Sequence, residues 1–122
     1  MIGYVTVGTQ DMDKAKAFYG ELLGLLGAKV VIDMGRLALF GVGRGKPMFG
    51  ICLPYDGQPA QQGNGNMVAL TAENEAQVDQ LYAKALELGA SDEGAPGWRM
   101  PTFYGAYVRD PDGNKLAFFK MG

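Results

Sequence analysis

The chain repeats itself, and that repeat limits its fold more than any other feature. Residues 4–23 slide onto residues 67–86 at an offset of 63. Val5 then falls on Val68, Val7 on Leu70, Phe18 on Leu81, Tyr19 on Tyr82, Leu22 on Ala85 and Leu23 on Leu86. Apolar residues at Ala15, Phe18, Tyr19, Leu22 and Leu23, and again at Val78, Leu81, Tyr82, Ala85 and Leu86, follow the i, i+3, i+4, i+7, i+8 spacing. That is the stripe of a helix with one buried face. Asp11 starts the first helix, and Asn74, with Gln77 three residues on, starts the second. Gly24 and Gly89 are the expected stops.

Each helix follows a short apolar strand, Tyr4–Gly8 and Met67–Thr71. Each is followed by a hairpin. The first pairs Arg36–Val42 with Pro47–Leu53 around Gly43-Arg44-Gly45, and the second pairs Thr102–Arg109 with Asn114–Lys120 around Asp110-Pro111-Asp112-Gly113. Lys29–Asp33 adds a strand to the first copy. Ser91–Pro101, with its Gly and Pro, reads as a loop containing at most a short strand. The fold class is therefore α+β, two tandem βαβββ modules whose strands form a curved, mostly antiparallel sheet around a cleft. One domain spans 1–122, with module one at about 1–55, a Gly/Gln/Pro/Asn-rich connector at about 56–66 and module two at about 67–122. Val5, Val7, Phe18, Leu22, Val68, Leu70, Leu81, Leu86, Leu116 and Phe118 are the expected core.

Composition narrows the chemistry. At 122 residues and 48% hydrophobic content the chain is long and apolar enough to bury a core. A net charge of −2 gives no basic footprint for nucleic acid. No apolar run reaches the length of a membrane span, and Met1-Ile2-Gly3-Tyr4 does not begin a signal peptide. Cys52 is the only cysteine, so no intrachain disulfide or cysteine-cluster metal site can form, and a reducing, cytoplasmic setting is the expectation. The chain has no histidine. It therefore cannot make an imidazole metal site, a facial triad of two His and one carboxylate, or a Ser-His-Asp triad.

The two modules resemble the glyoxalase / bleomycin-resistance / extradiol dioxygenase superfamily, the vicinal oxygen chelate proteins. The resemblance covers nearly the whole chain. It is carried by Tyr4-Val5-Thr6-Val7-Gly8 with Asp11 and Ala17-Phe18-Tyr19, by Gly63-Asn64-Gly65-Asn66-Met67-Val68-Ala69-Leu70, and by Arg109-Asp110-Pro111-Asp112-Gly113-Asn114-Lys115-Leu116. In metal-dependent members the first and last strands of each module supply ligands to a cleft on the concave sheet. The resemblance sets those positions on Tyr4, Met67 and Ala117, and near Phe49 or Gly50. Tyr is protonated near neutral pH, Met is a weak, soft ligand and Ala has no donor. The resemblance thus implies a member without the metal site, and glyoxalase or dioxygenase activity does not carry over. A dimeric ferredoxin-like α+β barrel also mixes few helices with antiparallel strands, but it lacks the five-element repeat.

Strand alternation marks the same surface independently. Val5, Val7, Val68, Leu70, Leu116 and Phe118 have the parity of the helix side, which leaves Tyr4, Thr6, Met67, Ala69, Ala117 and Phe119 on the other. That face is mostly apolar with a few hydroxyls and suits a small organic ligand. Trp98 and Arg99 are candidates for its rim, the first stacking on a flat ligand and the second pairing an anionic group. The plainer alternative is a loop anchored by one aromatic plug, with Arg99 solvated. Met48, Met67 and Met100 fit either an adaptable pocket wall or ordinary core. Cys52 reads as a small core residue, Asp110 and Asp112 as turn residues, and Gly43-Arg44-Gly45-Lys46 as a hairpin turn, because no helix follows it as in a phosphate loop.

Three functions remain open. The first is a binding protein that takes a small organic molecule without metal or other cofactor. The second is a metal-independent lyase or isomerase on a small carbonyl or thiol-containing substrate, with Tyr4, Arg99 or a carboxylate moving the proton. The third is a module whose cleft is filled by its own side chains and which serves dimerisation or a protein partner. The expected partners are a small-molecule ligand and a second copy of the chain, because open sheet edges are usually paired or covered.

Overall fold

The computed structural model describes all residues, Met1–Gly122. The chain divides into two compact units, Met1–Gln61 and Gln62–Gly122. Unit one holds β1 (Tyr4–Gly8), α1 (Met12–Gly24), β2 (Lys29–Asp33), β3 (Leu37–Gly41) and β4 (Met48–Cys52). Unit two holds β5 (Val68–Thr71), α2 (Glu75–Glu87), β6 (Ser91–Met100), β7 (Phe103–Arg109) and β8 (Lys115–Met121). Each unit has a four-stranded sheet, in the order β1-β4-β3-β2 and β5-β8-β7-β6. The first strand runs parallel to the last, and the other pairings are antiparallel. A parallel pair needs a long crossover, which the helix and the two intervening strands provide. No helix is long and apolar enough to cross a membrane.

The helix starts follow the sequence. Asp11 is extended, and its carboxylate accepts the Lys14 N–H at 3.1 Å. Asn74 accepts the Gln77 N–H at 2.8 Å, and the Gln77 side chain accepts the Glu73 N–H at 2.8 Å. That reciprocal pair is a capping box displaced by one residue. One stop differs from expectation. Gly24 is the last helical residue, and the left-handed reversal falls on Gly27, at φ +81°. There the Ala28 N–H reaches the Leu23 carbonyl at 3.0 Å and the Gly27 N–H reaches that of Gly24 at 3.0 Å. Gly89, at φ +107°, closes α2 with the same two bonds, Ala90 to Ala85 and Gly89 to Leu86. Both ends are Schellman motifs, which require a residue tolerant of positive φ after the helix. Leu25 and Leu26 carry the first helix's turn on to Gly27.

The segment expected to be mostly loop, Ser91–Pro101, is instead the ten-residue strand β6. It lies at the free edge of its sheet and bonds only to β7, with register shifts between Asp92 and Gly94, Gly94 and Gly97, and Trp98 and Met100. Pro96 lacks an N–H, so it is tolerated at an edge and between bulges but not in a central strand.

The helix-side parity holds in both units. In unit one Ala38, Phe40, Phe49 and Ile51 are buried with Ala15, Phe18, Tyr19, Leu22 and Leu23 of α1, and the Tyr19 and Phe49 rings lie 4.8 Å apart. In unit two Ala106, Val108, Leu116 and Phe118 are buried with Val78, Leu81 and Ala85 of α2. Of the expected core, Phe18, Leu22, Leu81, Leu116 and Phe118 are buried. Val5, Val7, Val68 and Leu70 are only half-buried, because β1 and β5 are edge strands with a neighbour on one side. Leu86, on α2, is half-buried too.

Candidate functional site

In unit one the face turned away from α1 carries Tyr4 and Thr6, both exposed. Beside them on β4 is Gly50. A Cβ there would meet Leu39 Cδ2 at 2.5 Å, Thr6 Cγ2 at 3.0 Å and the Val5 carbonyl at 3.3 Å. Only glycine lets Leu39 and Thr6 close over this strand. Phe49, its neighbour, points to the helix side against Tyr19. Neither Phe49 nor Gly50 thus offers a donor on this face. The face continues through Met48 to β3 and β2. A Cβ on Gly41 would lie 3.2 Å from Met48 Cγ and 3.6 Å from Val31 Cγ2, so these side chains flank a glycine floor.

In unit two the corresponding face is built from β5, β8 and β7. Ala69 pairs with Ala117, and Ala117 with Tyr107. Ala117 is 1% exposed, so it is packed beneath its neighbours and does not line open space. Phe119 is stacked on Phe103, with ring centres 5.4 Å apart and planes 2° from parallel. Phe103 lies over Gly105, where a Cβ would meet its ring at 2.7 Å. The Tyr107 ring receives two cations, Arg99 at 5.3 Å and Lys115 at 5.5 Å. Arg99 is held by a 2.7 Å bond from Nη2 to the Ala95 carbonyl. Met67 stands exposed just before β5, and Ala69 is exposed within it.

Trp98 does not share this face. It pairs with Tyr104, their rings are 5.2 Å apart edge to face, and the Tyr104 hydroxyl donates to Asp79 of α2 at 2.7 Å. Trp98 therefore lies on the helix side, while its neighbour Arg99 lies over Tyr107 on the other. Adjacent strand residues point to opposite faces, and β6 separates the pair because it is a strand. Phe103 and Tyr107 were missed as members of the face. The alternation that marks Leu116 and Phe118 also marks Ala106 and Val108 as helix-facing, and it leaves Phe103, Gly105 and Tyr107 opposite.

No three His, Cys, Asp or Glu side chains stand close enough together to hold a metal ion. At the positions that the resemblance sets for metal ligands, Tyr4, Met67 and Ala117, the side chains are a phenol, a thioether and a methyl. They do not fit a zinc or iron centre. Asp110 is 4% exposed and its carboxylate is spent on the turn, so it is not available for acid–base work.

Two tyrosines have perturbed protons, both on the helix side of unit two. The Tyr104 hydroxyl donates to Asp79, and the Tyr82 hydroxyl donates to Asp92 at 2.9 Å. Each carboxylate holds the phenolic proton and pushes the pKa above the ordinary 10.0. A raised folded pKa means that the stabilisation is fully present below pH 10 and is lost as pH rises through the folded value. Titrating tyrosinate absorbance should show a late limb above pH 10 that shrinks in Tyr82→Phe and again in Tyr104→Phe. An unchanged late limb in both variants would contradict these bonds.

A family model described as the Glyoxalase/Bleomycin resistance protein/Dioxygenase superfamily matches residues 1–118. A glyoxalase/bleomycin resistance protein from Albidiferax ferrireducens T118 is 36% identical, with a TM-score of 0.89 over 98% of this chain and 97% of that one. A glyoxalase/bleomycin resistance protein/dioxygenase family enzyme from Burkholderia phytofirmans PsJN shares the fold at 20% identity and TM-score 0.78, covering 98% of each chain. A lactoylglutathione lyase from Agrobacterium tumefaciens shares it at 24% identity and TM-score 0.68, covering 98% of this chain and 92% of the other. The sequence matches no curated protein.

Proposed function

The chain belongs to the glyoxalase/bleomycin resistance protein/dioxygenase superfamily, and from that we propose that it binds a small organic ligand without a metal ion, on sheet surface turned away from its helices, as a cytoplasmic homodimer. One observation carries this reading. The positions where the family places metal ligands hold Tyr4, Met67 and Ala117 in a chain with no histidine, while the same strand faces keep exposed apolar and hydroxyl side chains. Binding then rests on burying apolar ligand surface, which needs no Lewis acid. Ala117, buried between its strand neighbours Ala69 and Tyr107, belongs to the same sheet face without lining open space.

The test is a thermal-shift series with small aromatic and aliphatic compounds, with and without a chelator. A binder at one hundred times its Kd should add about 2.7 kcal/mol to stability, and the chelator should not change that. One tightly held transition metal per chain after purification without a metal-affinity step, with stabilisation lost on chelation, would overturn the reading. For the assembly, sedimentation should give twice the 13.0 kDa chain mass at micromolar protein.

A further inference from the structure

We propose that a depression on the β2–β3–β4 surface of unit one binds a small organic anion, an acidic headgroup joined to an apolar body. The inference rests on reading this sheet face as a ligand-binding one and names the chemistry of the ligand. The depression has a volume of about 670 Å³ and is lined by Lys29, Arg44 and Lys46 together with Val31, Val42 and Met48. That volume is in the range of drug-sized ligand sites.

The charges carry the argument. The chain is acidic overall, at −2, yet three cations line this one depression. Residues 27–48 contain a single carboxylate, Asp33, and Lys16 of α1 already holds it at 2.8 Å. Lys29, Arg44 and Lys46 make no ion pair within the chain. Unpaired cations beside an apolar hollow attract an anion that carries an apolar body. Arg44 supplies a planar fork that suits carboxylate or phosphate oxygens. It and Lys46 are presented by the tight β3–β4 turn, closed by the Lys46 N–H on the Gly43 carbonyl at 3.3 Å, with Gly45 at φ +77°. Lys29 comes from the start of β2, where it pairs with Gly41. The apolar wall is accessible to a ligand: Val31 is 48% and Val42 54% exposed. Gly41 lies between Met48 and Val31 and is closely covered by them: a Cβ there would stand 3.2 Å from Met48 Cγ, so glycine is what lets these two side chains form the apolar wall.

The experiment titrates the full chain with octanoate, octyl phosphate, 1-octanol and inorganic phosphate, read by calorimetry and by amide chemical shifts. Octanoate and octyl phosphate should bind with shifts centred on Val31, Val42 and the 43–46 turn, and both should bind at least about tenfold tighter than 1-octanol or inorganic phosphate. Comparing the two anions tells a carboxylate site from a phosphate site. The triple variant Lys29→Gln, Arg44→Gln, Lys46→Gln alters only exposed side chains and should lose about tenfold or more in affinity. A charge-matched control, Lys14→Gln, Lys84→Gln, Lys120→Gln, should bind as the parent does. Equal affinity in parent and triple variant, no binding of either anion, or amide shifts confined to unit two would overturn the inference. In the last case the broader proposal of metal-independent ligand binding would stand, since its own failure is read from bound metal and the chelator. Dilution-sensitive protection of the Val31 and Val42 amides would assign the depression to a second copy of the chain and would also overturn it.

Discussion

Replacing Leu116 by alanine should cost about 2–5 kcal/mol of folding stability, the range for a fully buried leucine. Leu116 is 0% exposed. It lies on β8 between Val68 of β5 and Val108 of β7, on the side where α2 buries Val78, Leu81 and Ala85. Truncation leaves a cavity walled by a helix and two bonded strands, which can collapse only partly. Leu70 has the same parity but sits on β5 at the sheet edge and is half-buried, so Leu70→Ala should cost roughly half as much. Urea melts of both variants make the comparison, with the midpoint falling at an unchanged slope. A loss below about 1 kcal/mol at Leu116 would put the register of β8 one residue out and turn its side chains over.

Asp110→Ala should be nearly as damaging, at about 2–4 kcal/mol, because it strands several donors at once. The carboxylate accepts the N–H groups of Asp112 at 2.9 Å and Asn114 at 2.8 Å, and the Asn114 side-chain amide at 3.0 Å. The backbone is locked around it by Gly113 N–H to the Asp110 carbonyl and Asp110 N–H to that of Asn114, both at 2.8 Å. Asn114 is 7% exposed, so water cannot readily replace the lost acceptor. Asp110→Asn keeps one acceptor oxygen and should lose about half as much. Denaturant melts of the two variants separate the outcomes. Equal and small losses would mean that the turn is held by Pro111 and Gly113 alone.

The local devices were legible because they are short. Asp11 and Asn74 cap helices through bonds to residues three positions on, and Asp110-Pro111-Asp112-Gly113 closes on itself. Errors began where a neighbour in space decides. Gly24 and Gly27 are both plausible stops in isolation, and the closing bonds form at the second, where Gly27 takes the positive φ. Ser91–Met100 has the composition of a loop, and pairing with β7 along a free edge makes it a bulged strand. That strand character then splits Trp98 from Arg99, which as loop residues had been expected to share one rim.

The sequence by itself determined the repeated βαβββ order except for β6, the helix-facing set and the loss of every histidine-based metal site, since periodicity, capping and residue chemistry are written along the chain. Tertiary structure alone decided how deeply each position is buried. Val5 and Leu70 share the parity of Leu116, but edge strands have one neighbour and central strands have two, and the same rule sinks Ala117 between Ala69 and Tyr107. It also decided the candidate site in unit one. Lys29 and the Arg44–Lys46 turn are separate in sequence, and no motif joins them. Strand pairing brings β2 beside β3, turns Gly41 into a floor between Val31 and Met48, and sets three cations around it without a carboxylate to answer them.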